Sequence, residues 1–154
     1  MIEQSTHMGF WQIKVIDKNT QTETTDTVKN RIMNNTLDEL LKVLQGSATN
    51  LQIKYLALGT GSTAVTDSDT TLDTEIFRTP VTTSTKTGTG QLTTLFVVLD
   101  SEAVASITEI GIFGGSSATS SANSGTLISR ILWSRNKTAS EEIQFTRIDT
   151  IGRG

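Results

Sequence analysis

The sequence predicts a mainly β domain, an antiparallel β-sandwich or jelly-roll-like fold with one packed α-helix. Three observations carry this. First, the 154 residues include 28 Thr and 15 Ser, more hydroxyl side chains than all the charged ones (13 Lys+Arg, 16 Asp+Glu). Thr is β-branched, stiff at χ1 and suited to a pleated, half-exposed surface. Second, short alternations of apolar and polar residues recur at close spacing, separated by Gly, Ser and Asn clusters. Third, no helical pattern stands between successive strand patterns after residue 50, which argues against a doubly wound sheet. The length suits one domain. A hydrophobic fraction of 35% is enough for one small core if each strand buries a single face.

Residues 1–8 read as an N-terminal arm and 9–154 as a single β-rich domain. Trp11, Ile13 and Val15 alternate with Gln12 and Lys14, giving a half-buried strand over 10–16. Residues 17–27 hold no apolar side chain and are expected to form an exposed loop or a hairpin tip. One helix is expected at about residues 28–45. Leu37, Leu40, Leu41 and Leu44 fall on one stripe, Asn35 or Thr36 can cap its start, and Gly46 suits a left-handed cap at its end. The stripe is expected to pack on a sheet. Residues 53–58 form a strand running into Gly59-Thr60-Gly61, and 62–74 a polar, acidic loop. Ile76 and Phe77 begin an extended piece that Pro80 ends. Residues 82–91 are expected to be a loop or weak edge strand. Further strands follow at 92–99, 107–113, 126–133 and 143–151. Residues 114–124 have no side chain able to anchor them and are expected to be a mobile loop.

Composition narrows the chemistry. Without Cys there is no disulfide, thiolate metal site or cysteine nucleophile. A net charge of −3 with scattered Lys and Arg provides no basic stripe for nucleic acid. No apolar run reaches the roughly 18 residues of a membrane-spanning helix, and residues 1–10 do not read as a secretory signal. The one His, His7, lies in the arm, and no Gly-x-Ser-x-Gly occurs, so a nucleophilic triad is not expected. Gly59-Thr60-Gly61 lacks the lysine of a phosphate-binding loop. Asp67, Asp69 and Asp73 have the two-residue spacing of a calcium loop. However, Leu72 stands where that loop needs Gly, and Arg78 where it needs Glu. No cofactor and no metal are expected. Glu75 and Glu109 sit beside apolar residues and are the candidates for a pair of catalytic carboxylates. Arg78 and Arg130 have similar surroundings. Buried charges need partners, so a structural Glu–Arg network of these four residues is the favoured reading.

Several motifs also occur in a recognisable order: Leu58-Gly59-Thr60-Gly61, Leu72-x-x-Glu75-x-x-Arg78, Thr108-Glu109-Ile110-Gly111-Ile112-Phe113, Gly125-Thr126-Leu127-Ile128-Ser129-Arg130 and Lys137-Thr138. This succession, spanning about residues 9–151, resembles a family of small structural proteins of tailed bacteriophages, associated with tail, tail fibre or baseplate. The resemblance implies a non-enzymatic virion protein, assembled in the host cytoplasm. It would be an assembly or attachment domain of the tail, neck or baseplate that works through protein–protein contacts. The implied partners are copies of itself, as a homotrimer, and other virion proteins, with no nucleic acid and no membrane. It makes Glu75, Arg78, Glu109 and Arg130 part of the fold's signature, with Gly59, Gly61, Gly111 and Gly125 as turn glycines. A chain of this length is expected to hold such a domain without a fibre shaft. The arm and the loops 17–27, 82–91 and 114–124 are the expected sites of contacts that order only in the particle. The alternative role is capsid decoration, and a less favoured one is a host carbohydrate-binding module. Such modules present exposed aromatics, whereas Trp11, Phe96, Phe113 and Trp133 lie in strand patterns that predict burial.

Overall fold

The alternation around Trp11 extends in both directions, and β1 runs from Ser5 to Asp17. The computed structural model describes residues 5–47 and 50–153, with Ser5–Met8 described by their backbone. The arm expected over 1–8 is therefore strand from Ser5 onward, and residues 1–4 lie outside the described ones. β1 pairs along its whole length with the last strand, β9 (Glu141–Arg153), from Ser5↔Arg153 to Asp17↔Glu141.

The stretch 17–27, expected to be an exposed loop or a hairpin tip, is the turn and most of the second strand of a hairpin: β2 (Thr22–Lys29) pairs with β1 from Phe10↔Lys29 to Asp17↔Thr22. The connecting turn is set by Asp17, whose Oδ1 accepts the backbone N–H groups of Asn19 (2.9 Å) and Thr20 (3.2 Å). β2 is an edge strand with almost no buried side chain, so it needs no apolar periodicity. Its β-branched Thr residues suit the strand, and its charges discourage further pairing. The opposite edge is built alike: β5 (Thr83–Gly88) is exposed throughout and pairs with β6 (Gln91–Val98). The five-stranded sheet has the order β2-β1-β9-β6-β5.

The second sheet has the order β4-β3-β7-β8, from β3 (Ile53–Gly59), β4 (Glu75–Pro80), β7 (Ser106–Gly114) and β8 (Thr126–Asn136). All strand pairs in both sheets are antiparallel. The two sheets pack as a β-sandwich. Trp11, Ile13, Leu56, Leu58, Phe96, Ile110, Ile112 and Phe145 are among the side chains buried between them. Phe145 meets Trp11 and Trp133 edge-on, with ring centroids at 6.4 and 5.8 Å. Such pairs add about 0.5–1.5 kcal/mol each beyond their buried area. Trp11, Phe96, Phe113 and Trp133 are all buried.

The smaller sheet is covered on both faces. On its outer side Met33, Ala57, Leu72, Phe113 and Leu127 form a second apolar cluster. This explains why β7 and β8 bury consecutive residues, 109–114 and 127–131, as strands covered on both sides do.

The helix α1 (Asn34–Gln45) is shorter than the expected 28–45. Val28 belongs to β2, Ile32 bridges to Ser129, and the Met33 N–H donates to the Ile128 carbonyl at 3.0 Å, so the chain is stitched to β8 before the helix begins. Met33 is the N-cap and makes no side-chain cap bond. Thr36, expected as a cap, is buried in the first turn, where its hydroxyl donates to the Ile128 carbonyl at 3.2 Å. Gly46 ends the helix in the left-handed conformation (φ 79°), as its position predicts. The leucine stripe does not pack on the sheet: Leu37, Leu41 and Leu44 are 44, 64 and 84% exposed.

Candidate functional site

The motif residues gather on the outer face of the smaller sheet. Glu109 in β7 and Arg130 in β8 point outward from it beneath the 60–74 loop, and both are buried. The Glu109 carboxylate accepts four hydrogen bonds. Oε1 takes the backbone N–H of Gly61 (3.0 Å) and Thr74 (2.9 Å). Oε2 takes the N–H of Asp73 (3.1 Å) and Nε of Arg130 (2.9 Å). One glutamate thus anchors both ends of a loop whose apolar contacts are made by Leu72 and Val65.

Arg130 completes the arrangement. Its Nη1 donates to Asp69 Oδ2 at 2.8 Å, and its Nη2 to Asp73 Oδ2 at 3.0 Å and to the Thr63 carbonyl at 3.2 Å. Burial works against the Arg130 charge, but hydrogen bonds to Asp69 and Glu109 outweigh it, and its pKa is raised. Burial likewise pushes Asp69 up. The Thr66 hydroxyl, Arg130 and the Thr66 N–H together hold it below the usual 3.8. The Thr63 hydroxyl and N–H do the same for Asp73. Asp67, the third residue of the calcium-like spacing, is used by Arg31, whose Nε lies 2.7 Å from its Oδ1. The acidic stretch is therefore a loop held in place by its own carboxylates, with most of its residues still exposed. Among the described residues no group of three or more His, Asp or Glu is placed to hold a metal.

Glu75 and Arg78 form a second cluster. Nε and Nη2 of Arg78 meet the two Glu75 oxygens at 2.6 and 3.0 Å, a bidentate pair with both side chains buried. The guanidinium lies 4.3 Å from the Phe113 ring centroid and 5.4 Å from that of Tyr55. Its Nη1 donates to the carbonyls of Thr119 (2.9 Å) and Ser124 (3.0 Å), while Glu75 Oε2 accepts the Asn123 N–H at 2.7 Å. These bonds hold the 114–124 segment, which composition suggested nothing could anchor. Ala118 is buried there, and Asn123 Oδ1 accepts the Leu72 N–H at 3.1 Å. The four motif charges make two ion pairs joined through the 72–75 backbone. The segments 17–27 and 82–91 are likewise hydrogen-bonded hairpins within the single chain.

Three of the four glycines taken as turn residues serve close approach. A Cβ on Gly61 would lie 2.6 Å from Glu109 Oε1, and one on Gly111, in mid-strand, 2.7 Å from Leu72 Cδ2. Gly59 is crowded by Glu109 and the Thr74 carbonyl. Only Gly125, at φ 89°, occupies the left-handed region.

Two charged sites were not anticipated from sequence. Lys137, in the late Lys-Thr motif, is buried and its Nζ donates to the carbonyls of Leu99 (3.0 Å) and Asp100 (2.9 Å). Burial lowers its pKa from the usual 10.5. In β9 the inward row Ile143, Phe145 continues to Arg147 and Asp149. Arg147 donates to Asp149 through Nε and Nη2, both at 2.7 Å, and its guanidinium lies 5.7 Å from the Trp11 ring centroid. Its Nη1 is buried without a partner, a state that costs about 1–3 kcal/mol. The signal was present: two opposite charges at period 2 on an established inward face.

No family model, no curated protein and no solved structure matches the chain, so these clusters are read from their own geometry.

Proposed function

We propose that the chain is a non-enzymatic structural protein of the bacteriophage virion. It would be an assembly and attachment domain of the tail, neck or baseplate, acting as a homotrimer through contacts with its own copies and with other virion proteins. The observation that supports this reading is where the motif charges go. Glu75, Arg78, Glu109 and Arg130 direct their polar atoms to one another and to loop backbone groups. Their work is to give long, polar loops one fixed shape. A fixed outer surface is what a subunit needs to meet neighbours repeatedly in the same geometry.

The test is immunogold electron microscopy on virions of the phage that encodes the chain, with antibody raised against the isolated protein. Gold at the tail, neck or baseplate is the expected outcome. Gold over the head would assign the protein to capsid decoration, and unlabelled virions would overturn both roles.

A further inference from the structure

The sandwich is not filled at one end. There the inward row of β9 passes from Ile143 and Phe145 to Arg147 and Asp149, and β5 contributes Ser84 and Lys86, so polar or small side chains stand where large apolar ones would close the core. A slot of about 490 Å³ opens between the two sheets at this point, bordered by α1 at Thr36 and Leu40. Its walls are mostly apolar: Leu40, Leu51, Ile53, Val81 and Leu92 are half-buried and Ile128 is buried. Protein interiors leave few voids larger than a water molecule. Sites for small molecules, in contrast, are apolar concavities of roughly 300–1,000 Å³ with a few polar groups. The slot has the size and the lining of such a site.

The charged groups narrow the choice of occupant. Arg147 and Asp149 line the slot but pair with each other through two bonds of 2.7 Å, and so add no net charge to it. The remaining charge on the lining is Lys86, exposed on β5 and engaged by no carboxylate among the described residues. One free cation therefore stands at the rim of an apolar slot. A peptide strand laid in the slot would bring backbone N–H and C=O groups that apolar walls leave unpaired. A helix, about 10–12 Å across, is too thick to enter between sheets stacked about 10 Å apart. An alkyl chain has neither drawback, and a carboxylate at its end complements Lys86.

We propose that the slot binds a free fatty carboxylate, with the alkyl chain between the sheets and the head group at Lys86. This goes beyond the virion role and does not depend on it. The four motif charges lie on the outer side of the smaller sheet, whereas the slot lies between the inner faces of both.

Isothermal titration calorimetry of the full chain with octanoate, decanoate and dodecanoate tests it. One molecule per chain is expected, with affinity rising about fourfold for each added methylene. Lys86→Glu is expected to weaken dodecanoate binding about fivefold and to turn the preference toward dodecyltrimethylammonium, which the wild type takes up less well than the carboxylate. Ser84→Trp, at an exposed β5 position on the slot wall, is expected to abolish uptake with an unchanged circular dichroism spectrum. A wild type that takes up no dodecanoate at about 1 mM, an affinity that does not change with chain length, or a Ser84→Trp chain that binds as the wild type does would each overturn the proposal. So would a Lys86→Glu chain that still prefers the carboxylate to the ammonium probe. A wild type that self-associates and becomes monomeric in Ser84→Trp assigns the slot to a second copy and overturns it as well.

Discussion

The outer face of the smaller sheet and the outer face of α1 reverse the usual placement of charged and apolar groups. At the first, Arg130, Glu109, Arg78 and Glu75 are buried and directed inward to partners. At the second, leucines face solvent. The contrast shows which groups fix the shape of this domain. Loops too polar to make a core of their own are held by a few charges with saturated hydrogen bonds. The one strongly amphipathic element contributes little beyond its first turn to the fold of the single chain. At the sheet face charge is used internally, and on the helix apolar surface is left exposed.

Four measurements would break or sharpen this contrast. The largest effect is expected for Arg130→Met. It leaves Glu109, Asp69 and Asp73 without their shared guanidinium and should cost about 3–5 kcal/mol in urea unfolding. A loss below about 1 kcal/mol would show that the backbone N–H groups alone hold the loop. Next is Arg78→Lys, which keeps the charge but loses the bidentate pair and the stacking on Phe113 and Tyr55. A loss of about 2 kcal/mol is expected, together with faster amide exchange at Asn123, whose partner Glu75 is loosened.

Acid should act on the same face. Asp69 and Asp73 are held below the usual 3.8 in the folded chain. Their contribution is therefore complete above that value and is lost as pH falls through the lowered folded values. Thermal unfolding followed from pH 6 downward should show a decline confined to the most acidic range. In Arg130→Met the decline should shrink without vanishing, because Thr63 and Thr66 still bond the two carboxylates. The smallest effect is expected for L41E/L44E. Its unfolding free energy as a monomer should stay within about 0.5 kcal/mol of the wild type. A loss of several kcal/mol would mean that the stripe is part of the core after all.

Much of this was legible in local sequence. The Trp11, Ile13, Val15 alternation identified the inward face of β1, and Pro80 marked the end of β4. Gly46 marked the helix end, and Glu and Arg among apolar residues pointed to buried pairs. The misreadings share a cause. Residues 22–29 lacked an apolar rhythm because an edge strand buries nothing, and 83–88, read as a loop or weak edge strand, form the opposite edge for the same reason. The 114–124 segment looked unanchored because its anchors, Glu75 and Arg78, lie some 40 residues away in the chain.

Periodicity is a local property, so the sequence by itself determined the fold class, the inward faces and the residue types able to form ion pairs. Whether a face is then covered depends on which distant segment lands on it. Only the tertiary structure decided that the outer side of β7 and β8 lies beneath the 60–74 loop. The same holds for the four motif charges dividing into two clusters. It also left the leucines of α1 uncovered beside an open groove, because stitching residues 32–33 to β8 fixes where the helix can start and which way its stripe faces.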